Sequence, residues 1–444
     1  MTVTVGENFL RKTYNYLLNS KSGRIIEPIG ALILILTNYN QSIIFDRKYR
    51  RAKKNLKFKV NEKVVIVVCR SYLWKTPNGV KNWLESIALN FAKNENYKVV
   101  ILTQNSLIFR YLRDYRNIQI FSIPVVRNLR FEKITYAKAW SKSVFNFVIK
   151  NGLDHKDVYV IGTISGLEMM SLDILKNAKP VVLLVTPRGF DRQVEFETKD
   201  FQSMSSRSRT IFLAEKNICQ LERVIVISDS TGLLKDLELY YDINLSSKVH
   251  VVHIGHILED CQVEESYKSL LYFGPLRWRK GADILPALLQ KIKENFPDWS
   301  LTVATSGGEL TEVSEQLAQM NQLGLVNLTM KPDEQTRHDL MRNATLLLIP
   351  SRYESFGMVA TEGMAHGVFI LSTNIGGISE VVLADGVLSN QVTPEAFFQA
   401  FIKASENSNH SLEKRYQRAM DARERFSPDR MMYELEVAMG IKST

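Results

Sequence analysis

The feature that most constrains this chain is an alternation that begins at Lys63, in which short runs of β-branched and apolar residues are separated by longer amphipathic stretches. Parallel strands covered on both faces by crossover helices produce this pattern, because neither face meets water and no polar alternation is needed. Strands are predicted at Val64 to Val68, Val99 to Thr103, Ile118 to Ile123, Val158 to Ile161, Val181 to Thr186, Val224 to Ser228 and Val249 to His253. The polar, acidic stretch Glu259 to Glu265 then breaks the alternation and reads as a linker. A second series follows at Leu271 to Gly274, Leu301 to Thr305, Val326 to Met330, Leu346 to Ile349 and Val368 to Ser372. The expectation is an α/β chain of two doubly wound domains, residues 61–258 and 266–425, facing across a cleft at the carboxyl ends of their strands.

Charge separates these domains from what precedes them. The formal net charge is +10. Residues 1–60 hold twelve Lys/Arg against three Asp/Glu, so the remaining 45 basic and 44 acidic residues leave the body near neutral. Eight of the thirteen residues from Arg47 to Lys59 are cationic. Together with the apolar stretch from Pro28 to Leu36, this basic extension has two readings. It is a peripheral foot in which residues 28–59 meet an anionic membrane surface on the cytoplasmic side, or it is an ordinary packed helix with a solvated exit. The apolar run is about half of the roughly twenty residues a spanning helix needs. Nucleic acid is an unsuitable partner for a near-neutral body with no aromatic reading motif. Three widely spaced cysteines, Cys69, Cys219 and Cys261, give neither a disulfide framework nor a metal site and suit a cytoplasmic setting.

Chemistry concentrates in the second series. The strand ending at Ile349 runs through Pro350-Ser351-Arg352-Tyr353-Glu354-Ser355-Phe356-Gly357 into a helical pattern from Met358 to His366. Such a turn brings backbone N–H groups at a helix start close to an anion. Glu354 and Glu362 flank it. Carboxylates there suit sugar hydroxyls, which donate hydrogen bonds, although a helix cap and a surface acid explain the same two residues. Earlier, Phe273 to Asp283 carries Arg277, Arg279 and Lys280 just after a strand, where cations would neutralise a departing diphosphate.

The stretch from Ala344 to Gly367, with its Glu-x7-Glu spacing at Glu354 and Glu362, followed by Gly376-Gly377-Ile378-Ser379-Glu380, resembles the signature of the family four retaining glycosyltransferases. The resemblance implies the GT-B fold of two Rossmann-like domains, with residues 426–444 crossing back to the first. It implies a hexosyltransferase that moves a sugar from a nucleoside diphosphate, with UDP-sugar favoured and GDP-sugar admitted as substrate and no cofactor or metal. If residues 28–59 do meet a membrane, the acceptor would be a lipid-linked glycan of envelope polysaccharide synthesis, with a soluble glycan as the other choice.

By the same resemblance, Glu354 contacts the transferred sugar, Glu362 the ribose, and Ser355, Phe356, Gly357 and Met358 the diphosphate. Lys280 with Arg277 or Arg279 stabilises the leaving group. Asn78 and Gly79 would close on the donor phosphates, and Ser306 and Gly307 would form a nucleotide-side loop. Two departures stand out. Pro275 occupies a position where the family usually has Arg, and Thr186 one where many members have His. Arg188 and Asp191 nearby are candidates for the acceptor. The alternative that these departures favour is a non-catalytic subunit that stabilises an active partner.

Overall fold

The computed structural model describes residues 62–69, 79–103, 117–122, 136–167, 175–184, 206–245, 248–255, 263–406 and 410–443. The basic extension, with its membrane reading, lies outside them, as do Asn78, Thr186, Arg188 and Asp191.

The first unit is a parallel sheet of seven strands: β1 (Lys63–Cys69), β2 (Tyr97–Thr103), β3 (Ile118–Ser122), β4 (Val158–Gly162), β5 (Lys179–Leu183), β6 (Ile225–Ser228) and β7 (Val249–Val251). Their order is β3-β2-β1-β4-β5-β6-β7. Helices α1 (Gly79–Lys93), α2 (Tyr136–Lys150), α3 (Ile164–Leu167), α4 (Ser206–Gln220) and α5 (Thr231–Tyr241) connect them. From Val64 to Cys69 every residue of β1 is buried, which is why its sequence shows an unbroken apolar run.

The second unit repeats the plan. Its strands β8 (Ser269–Phe273), β9 (Ser300–Thr305), β10 (Asn327–Met330), β11 (Leu346–Ile349), β12 (Phe369–Thr373) and β13 (Gly386–Ser389) lie parallel in the order β10-β9-β8-β11-β12-β13. Its helices are α6 (Leu285–Asn295), α7 (Thr311–Gln322), α8 (Glu334–Asn343), α9 (Met358–Ala365), α10 (Ile378–Val382), α11 (Pro394–Ser405) and α12 (Leu412–Arg425). In each sheet the chain turns from one side of the starting strand to the other between neighbours β1 and β4, or β8 and β11. Doubly wound sheets bind ligands at that switch point.

Some strand limits differ from the sequence reading. β3 ends at Ser122, β5 at Leu183 and β7 at Val251, each earlier than expected. The edge strand β13 was not anticipated. Three of its four residues are only half-buried, so it lacks the dense apolar run of a central strand.

The last helix, α13 (Pro428–Ala438), leaves the second unit and packs on α1 of the first. Its Met431 and Leu435 share one apolar cluster with Trp83, Ile87 and Phe91. Tyr159 Oη, on β4, donates to the Met439 carbonyl at 3.4 Å. A side chain at Gly255, just past β7, would lie 2.4 Å from the Ser427 carbonyl oxygen, so the two places where the chain passes between units touch each other.

Candidate active site

Two loops meet at the carboxyl ends of β8 and β11. The loop after β8 contains the 3-10 turns Trp278–Lys280 and Ala282–Ile284, joined by Gly281 at φ 65°. A Cβ there would stand 1.9 Å from the Pro350 carbonyl oxygen, so only glycine admits the approach of the loop after β11. Arg352 fastens the two. Its guanidinium makes a bidentate pair with Asp283 at 2.5 and 2.8 Å, donates to the Trp278 carbonyl at 2.8 Å and stacks on the Trp278 ring.

That fastening brings Lys280 to Glu354, with Nζ 2.6 Å from Oε2 and the two side chains 21% and 14% exposed. Burial alone would raise the Glu354 carboxyl, but Lys280 and Arg279 outweigh it and hold Glu354 below its ordinary value. The acid is therefore ionised at neutral pH. Arg277 is not part of this group. It is exposed and lies 4.0 Å from Glu309, so of the two arginines considered, the structure places Arg279 beside Glu354.

Glu362 is not the surface acid of the simpler reading. Its side chain is 16% exposed and accepts from Arg337 Nη1, on α8, at 3.1 Å. Burial pushes its carboxyl up, and Arg337 offsets only part of that. Arg337 was not picked out from the sequence, where it sits in an ordinary charged helix. Its only signal there is a cation on the helix preceding the motif strand.

The turn between the carboxylates is built for an anion. Phe356 is 1% exposed and packs against His253 and Phe426, so it can offer the cleft only its backbone. The N–H groups of Gly357 and Met358 find no acceptor among the described residues. Ser306 and Gly307 lie in a loop running beside the β8 loop, with Leu276 N donating to the Gly307 carbonyl at 3.1 Å. Pro275, in the position usual for Arg, has its carbonyl held by Tyr272 Oη at 3.0 Å. Gly79 opens α1 after β1.

Across from this turn, the first unit presents the residues after β6. Asp229, 2% exposed, is pushed up to about 7 by burial, with the neighbouring Ser355 and Ser230 opposing and Glu380 and Glu354 adding to the rise. Asp229, Ser230 and Glu380 had no assigned role in the sequence reading. Their contacts join residues 125 or more apart, which no local motif announces.

Residues 257–425 match the family described as glycosyl transferases group 1. They are a group 1 glycosyltransferase domain. The chain is 25% identical over 299 residues to an uncharacterised glycosyltransferase of Methanocaldococcus jannaschii, covering 66% of this chain and 77% of that one. It is 27% identical over 158 residues to the GDP-mannose:cellobiosyl-diphosphopolyprenol alpha-mannosyltransferase of Xanthomonas oryzae, where the match spans 34% of this chain and 40% of that enzyme. Among solved structures, Anabaena HepE in complex with UDP superposes with a TM-score of 0.63 at 15% identity, over 86% of this chain and all of that one. The architecture is GT-B: two Rossmann-like α/β units.

Proposed function

We propose that this glycosyltransferase moves a sugar from a nucleoside diphosphate to a glycan or lipid-linked acceptor with retention at the anomeric carbon. The observation that carries the reading is the half-buried Lys280–Glu354 pair at 2.6 Å, with Arg279 beside it, at the switch point of the second sheet. An ionised carboxylate accepts hydrogen bonds from sugar hydroxyls. Lys280 and Arg279 supply positive charge where the leaving diphosphate develops negative charge, which is the main electrostatic task of the reaction and one they can perform without a metal. The N–H groups of Gly357 and Met358 would hold the same diphosphate from the helix start. Glu362, one turn into α9 and paired with Arg337, would take the ribose.

The likeness to a structure holding UDP and to an enzyme named for GDP-mannose supports a nucleotide-sugar donor and keeps both bases open. The diphosphopolyprenol in the second name supports a lipid-linked acceptor. Among the described residues no helix is long and apolar enough to cross a membrane, so such an acceptor would be met at a membrane surface.

Calorimetric titration with UDP and GDP tests the reading. Saturable binding of one nucleotide is expected, weakened about tenfold or more in Glu362→Ala through loss of a charged hydrogen-bond acceptor. Absence of binding by either nucleotide would favour a non-catalytic subunit instead.

A further inference from the structure

Where the first unit meets the donor turn, the contact is made by one short element on each side. Helix α5 begins at Thr231, and its first N–H groups, those of Thr231 and Gly232, donate to the two carboxylate oxygens of Glu380 at 3.1 and 2.9 Å. Glu380 belongs to α10 of the second unit, so a carboxylate from one unit caps a helix of the other. One residue earlier, Ser230 Oγ accepts from Leu233 N at 2.9 Å and donates to the Ser355 carbonyl at 2.5 Å. Gly377 N donates to the Glu354 carbonyl at 3.1 Å, tying the α10 entry to the same turn. The fit leaves no slack: a Cβ at Gly232 would meet the Gly376 carbonyl oxygen at 2.1 Å.

Glu380 is itself fixed. Arg425 Nη2 donates to the carbonyls of Glu380 and Val381 at 3.0 and 2.9 Å, and His253 Nε2 lies 3.5 Å from Glu380 Oε2. Burial disfavours its charge, but His253 beside it and the hydrogen bonds from Gly232 and Thr231 prevail and keep the carboxyl below its ordinary value. A helix start held by a fixed anion of the second unit, and a hydroxyl from the first unit, thus meet at the Glu354–Ser355 turn.

We propose that Glu380 and Ser230 form a clasp between the units that positions the Glu354–Ser355 turn, so that an element of the acceptor-side unit sets the geometry of the donor site. Neither residue is placed to touch a reacting atom. Their action is transmitted through α5 and the turn, and it rests on the reading that Glu354 contacts the transferred sugar. When the clasp is closed, Glu354 and the N–H groups after it hold one geometry. When it is broken, the turn still exists but is held from one side only.

Amide hydrogen exchange on the full chain tests the clasp without reference to turnover. Glu380→Ala should speed exchange in residues 229–234 and also in 351–358, Ser230→Ala should do the same more weakly, and Glu380→Gln, which keeps one acceptor oxygen, should fall between. Faster exchange confined to 229–234 would overturn the proposal. With UDP-glucose and GDP-mannose as probes, nucleotide release by Glu380→Ala should fall by about 100-fold in kcat, the scale of a displaced catalytic group, with KM unchanged. UDP or GDP binding should fall by much less than kcat, because Glu362, which would hold the ribose, is fixed by Arg337 on α8 and not by the clasp. Equal loss of nucleotide binding and kcat with a lowered Tm would show a merely structural role and sink the idea. If the unaltered protein binds neither nucleotide, the donor-site reading fails, while the exchange pattern still decides whether the clasp holds the turn.

Discussion

Asp229→Asn should make the protein progressively more stable, relative to the unaltered chain, as pH rises from 5 to 8. Asp229 is 2% exposed and its carboxyl is pushed up to about 7 from the ordinary 3.8, chiefly by burial, against the neighbouring Ser355 and Ser230 and with Glu380 and Glu354 adding to the rise. A folded-state value above the unfolded one means that the folded chain binds more protons between the two. Stability from this group is therefore present below about pH 4 and is lost as pH rises toward 7.

The full gap from 3.8 to about 7 corresponds to about 4 kcal/mol, of which roughly 2–3 kcal/mol falls between pH 5 and 8. Asparagine keeps the shape but carries no proton to lose. Any constant cost of the substitution cancels in the comparison between pH values. Thermal unfolding of both proteins at pH 5, 6, 7 and 8 should show the difference in Tm shifting in favour of the asparagine variant by on the order of 5 °C over the range. A difference that stays flat with pH would refute the placement of a buried, proton-holding carboxyl between the units.

Other substitutions probe the donor side. Lys280→Ala should lower the rate of sugar transfer by about 100-fold to 1000-fold in a donor-turnover assay, as loss of a preorganised charge at the leaving group does, while Arg277→Ala changes it by less than about threefold. Arg352→Lys should destabilise the protein by about 1–3 kcal/mol in denaturant unfolding, because lysine cannot hold both oxygens of Asp283 or stack on Trp278. Gly281→Ala should cost more than about 3 kcal/mol by the same measure, since its Cβ would collide with backbone at Pro350 in a left-handed conformation.

What the sequence revealed and what it concealed divide along a physical line. Central strands such as β1 and β11 were legible because burial on both faces writes a local, contiguous apolar signal. β13 was not, because an edge strand half open to solvent needs no such run. Likewise Glu354 and the glycine after the turn were read from a strand followed by a tight turn and a helix, and Lys280 from cations just after a strand, all of which is local geometry. The choice between Arg277 and Arg279 depended on how Arg352 grips the loop, and the partnership of Glu362 with Arg337 on two helices meeting in space. The clasp at Ser230 and Glu380 was illegible for the same reason: it is a relation between two units, and neither half carries its partner's signature.

The contact between Gly255 and Ser427 has a mechanical consequence. Two covalent connections that pass between bodies at well-separated points would resist every relative motion except rotation about the line joining them. Here both connections run through nearly one spot, so covalent linkage alone would leave the units free to tilt and swivel about a single pivot. Their orientation is therefore set by the contacts that surround the pivot, among them Glu380 with His253 and Arg425 on one side and α13 against α1 on the other.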